Sequence, residues 1–411
     1  MDKQKREHQA RKRHLLVYRS LAAAMAGVTK PLFNYSCDVF DPKSAEGPVI
    51  VIANHSCAWD PLLLAAAFRR NQMYYVASEH ILRWKVFGPV INWLVEPIAR
   101  KKAGMASGTV RTCLRHLKAG HSVALFAEGE QTWTGITGKV FPATGKLVKQ
   151  SGASLVTYRI DGAYISLPRW ARGIRTGKVE GHLVNIYTPA ELNAMAPDDI
   201  NEAINKDIYA DVWKWQDEHP EGRIPYRMRG KDRGLAEGLD KALYMCPGCG
   251  KIGGLSVSGD MIFCTCGYCG RYLETGFLEG SSSVTTIAEW DEWQTSAFAS
   301  LLDEMTRNAS SEAAADKALL FSDTSAQLFQ VEDGHRDRKL AEGVLSLSLE
   351  GQDLVMSACG TRFALADISM MAMVLSNILL FRTEGGYYQI LTAGANLRKY
   401  LQAWQHVSGI Q

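Results

Sequence analysis

The sequence predicts an α/β fold, a mostly parallel sheet flanked by helices, followed by a small zinc ribbon and a C-terminal β-rich domain. Three observations carry that expectation. Between about residues 35 and 190, short β-branched runs alternate with helix-like segments, the pattern of a layered and largely parallel sheet. Five of the nine cysteines crowd into residues 246–269. From residue 317 onward, short apolar runs follow one another with only turn residues between them.

In chain order, residues 1–34 read as a basic amphipathic segment. "MDKQKREHQARKRHLLVYR" carries seven Lys/Arg against two acids before passing into "SLAAAMAGVTKPLF". Such a segment suits an anionic membrane surface, or equally a solvated helical tail. Residues 35–220 follow as the α/β domain. Its strands are "GPVIVIAN", "MYYVAS", "HSVALFAEG", "ASLVTYRID" and "GHLVNIY", and its helices include "DPLLLAAAFRR", "ILRWKVFGPVINWLV", "MASGTVRTCLRHLKAG" and "ATGKLVKQSG". "APDDINEAINKDIYADVWKWQDEH" reads as one long helix, with Asp198 or Asp199 as its cap and Pro220 beyond its end. A polar linker spans residues 221–240. Residues 241–310 combine the cysteine cluster with a helix, "EWDEWQTSAFASLLDEM", and "TRNASSEAAADK" reads as a second linker. The run of strands from 317 to 411 ends in the helix "ANLRKYLQAWQHV", a pattern that resembles a pleckstrin-homology-type barrel.

Composition narrows the function classes. At 411 residues and 46% hydrophobic content the chain can bury a sizeable core, and its net charge of +3 does not suggest a nucleic-acid binder. No window reaches the roughly 18 to 20 apolar residues of a membrane-spanning helix, and no signal-peptide pattern is expected. Clustered C-x-x-C spacing in such a chain points to metal ligation in a reducing cytosol rather than to disulfides.

The chemistry concentrates in "VIVIANHSCAWDPLLL", residues 49–64. Positions five apart on one helix lie roughly 140° from sharing a face, so His55 and Asp60 would not meet on a regular helix. They meet if His55 ends a strand and Asp60, followed by Pro61, opens the next helix as its N-cap. The carboxylate can then fix the imidazole tautomer and leave the other ring nitrogen to take a proton from a hydroxyl. An ordinary strand-end His beside an ordinary capping Asp is the simpler alternative. A second turn of the same kind follows "VALFAEGEQT" at Glu128–Gly129, and "LVEPIARKK" ends an apolar run at Arg100. Open parallel sheets bind ligands at the carboxyl ends of their strands, and Arg suits bidentate recognition of phosphate.

This order of motifs resembles the glycerolipid acyltransferase family, the lysophosphatidate acyltransferases and their relatives. Asn54, His55 and Asp60 match its N-H-x-x-x-x-D motif. Ile98, Ala99 and Arg100 match its second motif, and Phe126, Glu128 and Gly129 its third. Ala127 and Gln131 replace that motif's Pro and Arg, and the Pro of the fourth motif is absent from "SLVTYRIDGAY". The resemblance covers roughly residues 35–210. It implies that His55 and Asp60 are catalytic, while Asn54, Arg100, Phe126, Glu128, Gly129 and Lys139 contact the substrate. It further implies an acyl-CoA or acyl-ACP donor and a lysophospholipid or glycerol-phosphate acceptor, in phospholipid biosynthesis. The enzyme would then be cytoplasmic and peripheral at the inner face of the membrane, with the lipid surface as its partner. A non-catalytic membrane- or protein-binding adaptor on the same scaffold is the alternative. No G-x-S-x-G elbow is present, which speaks against a serine esterase. Cys57 reads as a small turn residue.

In "CPGCGKIGGLSVSGDMIFCTCGYCG", Cys246 and Cys249 form one C-x-x-C and Cys266 and Cys269 another, with sixteen residues between them. That spacing predicts a structural four-cysteine zinc site, with Cys264 as a spare. The segment has few basic residues and no aromatic interleaving, so nucleic acid is not an expected partner.

Overall fold

The structure, a computed structural model, describes residues 3–82, 87–100, 107–229, 234–311, 318–332 and 337–410. The chain divides into two compact units, the first drawn from residues 1–231 and the second chiefly from 232–411.

In the first unit the long helix α1 (Lys3–Phe33) leads into a short strand, β1 (Tyr35–Cys37). Then come β2 (Val49–Ala53), α2 (Asp60–Ala67), β3 (Met73–Ser78), α3 (Glu79–Leu82) and α4 (Phe87–Val95). β4 (Ile98–Arg100), α5 (Ser107–Lys118), β5 (Ser122–Leu125), α6 (Ala143–Ser151) and β6 (Ser154–Asp161) continue the alternation. The unit closes with α7 (Ala163–Ser166), β7 (Arg175–Thr176), β8 (Val179–Tyr187), α8 (Pro189–Ala194), α9 (Pro197–Asp207), α10 (Val212–Asp217) and β9 (Arg227–Met228).

One seven-stranded sheet runs in the order β1-β8-β6-β2-β5-β3-β4. Its five strands from β6 to β4 are mutually parallel, whereas β8 runs antiparallel to β6 and β1 follows β8. β2 is central and buried along its whole length. Alternate side chains of a strand point to opposite faces, so β2 feeds two cores. Val49, Val51 and Ala53 pack with α2 and the buried face of α1, while Ile50 and Ile52 pack with residues of α5, α6 and α9. This burial of both faces is why the strand reads as an unbroken apolar run.

The basic segment at the start of the chain is part of this unit. His14, Tyr18, Ala22 and Thr29 of α1 are buried on one helical stripe, and Tyr18 donates its hydroxyl to the Phe68 carbonyl at 3.3 Å. The expected single helix over residues 196–219 is two helices, α9 and α10. The loop at 135–137 pairs with the chain between them, through Thr137 N–H to the Ala210 carbonyl and Val212 N–H to the Gly135 carbonyl. Asp211 then caps α10 by accepting from the N–H groups of Trp213 and Lys214.

The second unit starts with a four-stranded antiparallel meander: β10 (Leu255–Ser258), β11 (Met261–Cys264), β12 (Cys269–Tyr272) and β13 (Leu278–Gly280). Helix α11 (Ile287–Ser311) follows and takes in the first half of the stretch expected as a linker; residues 312–317 lie outside the described ones. After it come β14 (Ala318–Gln330), β15 (Arg338–Glu350), β16 (Asp353–Ala358), β17 (Thr361–Ala364), β18 (Met370–Val374), β19 (Ile378–Thr383), β20 (Gly386–Thr392) and α12 (Arg398–Ser408). These strands form one antiparallel sheet in the order β17-β16-β15-β14-β20-β19-β18. β14 is one continuous strand whose register shifts between Asp323 and Ala326, where Ser325 takes φ +63°. Trp404 of α12 donates its indole N–H to the Ile368 carbonyl at 2.8 Å, anchoring the helix on this sheet.

Candidate active site

β2 and β5 are neighbours in register, Ile52 opposite Leu125, so the turns that leave their carboxyl ends lie side by side. His55 stands on the first turn and Glu128 on the second. The two are stitched together by backbone. Glu128 Oε1 accepts the His55 N–H at 2.6 Å, its Oε2 accepts the Gly138 N–H at 2.7 Å, and the Thr132 N–H bonds the His55 carbonyl at 2.9 Å. Loss of water around the Glu128 carboxyl pushes it up to about 8, against the pull of its two backbone donors.

The imidazole of His55 is held from two sides. Its ring stacks on Phe126 with centroids 4.4 Å apart, and its Nδ1 lies 2.8 Å from Asp60 Oδ2. Asp60 is completely buried and turns back over its own turn. Oδ2 also accepts the N–H groups of Ser56 and Cys57, at 2.6 and 2.8 Å, while Oδ1 faces the Cys57 thiol at 3.2 Å. These donors use the carboxylate as an acceptor, so Nδ1 carries a proton, and in the neutral ring Nε2 presents its lone pair. No described residue hydrogen-bonds Nε2. The sequence had placed Asp60 as the cap of α2. It occupies the first helical position instead, and its carboxylate caps the turn before the helix rather than the helix itself. Cys57 is buried, and burial holds its thiol well above the ordinary range, as suits a turn residue and not a nucleophile.

Asn54, expected at the substrate, is spent on the scaffold. Its carbonyl oxygen accepts the Ile160 N–H at 2.8 Å, and its amide donates to the Ile160 carbonyl and to Ser56 Oγ. This clamps the end of β2 to β6 and leaves no amide group facing a ligand. Glu128, likewise expected at the substrate, has both oxygens on backbone N–H groups and fixes the position of His55.

Arg100 ends β4, and its guanidinium reaches the turn after β5, stacking over Phe141 at 4.6 Å. Gly129 makes room for it. That residue has φ +85°, and a Cβ there would lie 2.1 Å from the Phe141 ring and 3.0 Å from Arg100 Nη1. Lys139 is exposed on the loop that follows Gly138. Sequence reasoning missed Arg169. Its nearly buried guanidinium bonds Glu130 at 2.7 Å and lies over Trp133 at 4.2 Å, beside the turn where Gln131 stands in place of the motif's Arg. Nothing local marks it, because it arrives from a segment beyond β6.

Residues 38–161 match the profile of the Acyltransferase family, a span that includes the His–Asp turn, Arg100 and the Glu–Gly turn. Residues 38–161 form an acyltransferase-family domain. The acyltransferase domain therefore includes the turn after β2 that carries the imidazole–carboxylate pair. Among solved structures, the 1-acyl-sn-glycerophosphate (LPA) acyltransferase PlsC from Thermotoga maritima is similar at 16% identity and a TM-score of 0.40, over 46% of this chain and 76% of that one. No curated protein matches the sequence. No described helix is long and apolar enough to cross a membrane.

The second unit holds the metal-ligand candidates. The sulfurs of Cys246, Cys249, Cys264 and Cys266 lie within 4.8 Å of one another. Cys269, expected as the fourth ligand, is not in the group, and Cys264, expected as a spare, is. Residues 266–269 do not form the second C-x-x-C turn. Cys264 ends β11 and Cys269 opens β12, so the hairpin between them turns Cys264 and Cys266 to the first pair.

Proposed function

We propose that the acyltransferase domain moves a fatty acyl group from an acyl thioester, on coenzyme A or acyl carrier protein, to the hydroxyl of a glycerol-phosphate or lysophospholipid acceptor. The observation that carries this reading is the His55 Nδ1 to Asp60 Oδ2 bond of 2.8 Å, with Nε2 left to work as a base. In this scheme Nε2 takes the acceptor's hydroxyl proton as that oxygen attacks the thioester carbonyl. The tetrahedral intermediate collapses by breaking the C–S bond, and the imidazolium returns the proton to the departing thiolate. Asp60 stabilises the imidazolium from the Nδ1 side. Arg100, half-enclosed at the adjoining turn, supplies the positive charge for the acceptor's phosphate, with Lys139 as a second contact.

An acceptor of this kind sits in a bilayer. On the first unit, Leu16 of α1 and Val90 and Trp93 of α4 are exposed, and Arg13 lies over the Trp93 ring at 5.0 Å. Apolar side chains beside a basic helix support peripheral attachment to the cytoplasmic membrane face. A non-catalytic adaptor is the competing reading, favoured by Gln131 and by the pairing of Arg169 with Glu130.

The deciding experiment supplies purified protein with acyl-CoA or acyl-ACP and with glycerol 3-phosphate or lysophosphatidate in vesicles, and follows free thiol and product lipid. Turnover that His55→Ala abolishes, with its circular dichroism unchanged, is the expected result. Vesicle binding without thiol release under every pairing would favour the adaptor.

A further inference from the structure

We propose that the second unit binds one zinc ion through Cys246, Cys249, Cys264 and Cys266, with Cys269 outside the coordination sphere. The spacing of the sulfurs carries this assignment. A zinc–sulfur bond of about 2.3 Å in a tetrahedron places its sulfurs about 3.8 Å apart. Cys246 Sγ lies 3.7 Å from Cys266 Sγ, and Cys249 Sγ lies 3.8 Å from Cys264 Sγ. Those separations are far too long for a disulfide, whose sulfurs lie about 2.05 Å apart. Four thiolates can be held at this range only around a cation, because like charges so close repel strongly.

The backbone around the sulfurs is shaped to the same centre. In the first knuckle the Gly248 N–H points at Cys246 Sγ at 3.3 Å, and the Gly250 N–H returns to the Cys246 carbonyl at 2.8 Å with φ +67°. N–H groups directed at a ligand sulfur offset its charge and fix its orientation. In the second, Gly267 takes φ +96° and its N–H bonds the Cys264 carbonyl at 3.0 Å, which is the turn that carries Cys266 back beside Cys246. Gly254 lies so close to Cys264 that a Cβ there would be 3.1 Å from the sulfur. Cys269 is employed differently: it pairs with Phe263 in the β11–β12 ladder, and its carbonyl accepts the Ser281 N–H.

All-sulfur tetrahedral ligation selects zinc or iron over hard cations, and a single ion with no open position serves structure. Binding would release up to four thiol protons to solvent and leave a centre of net charge −2. The ion would tie the 246–249 loop to the β11–β12 hairpin, next to Trp290 of α11. That side chain is fully buried, donates to the Met245 carbonyl at 2.8 Å and meets Tyr268 edge-on at 5.6 Å.

The test measures metal in the full chain by mass spectrometry after gel filtration without chelator, beside Cys264→Ser and Cys269→Ser. One zinc per chain in the natural protein and in Cys269→Ser is expected, with zinc lost or bound at least tenfold more weakly in Cys264→Ser. Cobalt substitution provides a second readout: Cys269→Ser should keep the thiolate-to-cobalt charge-transfer bands of the natural protein unchanged, and this decides the matter even if Cys264→Ser does not fold. Zinc loss in Cys269→Ser overturns the proposal, as does full retention in Cys264→Ser. Stoichiometric iron in place of zinc, or failure of the metal-free chain to take up zinc against a chromogenic chelator, overturns it as well.

Discussion

His55 and Asp60, five positions apart, meet across one turn, Nδ1 to Oδ2 at 2.8 Å, and the same carboxylate oxygen accepts two backbone N–H groups of that turn. One oxygen thus both shapes the turn and selects the tautomer of the base. Asp60→Asn would put an amide where those donors need a carboxylate and would lose the charge that steadies the imidazolium. The expected cost is a fall of about 10²–10⁴-fold in kcat with KM little changed. Steady-state kinetics of the variant check this; an unaltered kcat would remove Asp60 from the mechanism.

Gly129→Ala tests the packing of the second turn. The new methyl meets Phe141 in a backbone conformation that disfavours any Cβ, so a loss of about 1–3 kcal/mol is expected. Because Arg100 Nη1 borders the same space, KM for a phosphorylated acceptor should rise. Adding Phe141→Ala should recover the steric part of the loss but not the conformational part. Urea denaturation of the single and double variants separates the two.

His14 makes the first unit sensitive to acid. Its Nε2 donates to the Val95 carbonyl at 3.0 Å, its Nδ1 faces the Gln72 amide, and its ring stacks on Tyr74 at 4.0 Å. Burial lowers it to about 4, from 6.5 for a free imidazole. The unfolded chain therefore binds the extra proton between those values, and stability falls as pH drops from about 6.5 to 4. The contribution is on the order of 1–3 kcal/mol. His14→Phe should flatten the pH dependence of unfolding in this window. Equal slopes in the two proteins would assign the effect elsewhere.

In the second unit, Arg398 of α12 grips Asp291 of α11 with both nitrogens, at 2.6 and 2.9 Å, and both residues are buried. Asp291→Ala would remove the carboxylate counter-charge from a buried guanidinium and should cost about 3–5 kcal/mol. Replacing both partners, Asp291→Leu with Arg398→Met, should cost less than the single change. A double variant no more stable than Asp291→Ala would show that the pair's other contacts, such as Arg398 to the Ala242 carbonyl, dominate.

Much of this was legible in the sequence because it is local. The alternation of β-branched runs with helix-like segments marked the layered sheet, and the His55–Asp60 spacing marked a turn between a strand and the next helix. The helix over 196–219 was misread because nothing within it shows that residues 135–137 come to pair with its middle. The roles of Asn54 and Glu128 were hidden for a similar reason, since the Ile160 and Gly138 backbone groups that occupy them are distant in the chain. The fourth ligand of the cysteine cluster went the same way.

By itself the sequence determined the alternation of strands and helices, showed motifs that resemble those of the glycerolipid acyltransferases, and placed His55 and Asp60 close enough along the chain to meet. The alternation follows from periodicity, and the closeness from groups a few bonds apart. The tertiary structure alone decided which polar side chains stay available to a substrate, that Arg169 comes beside Gln131, and that Cys264 rather than Cys269 joins the other three sulfurs. Those outcomes depend on which way a hairpin turns and on which distant backbone groups claim a side chain first, and spacing along the chain carries no record of either.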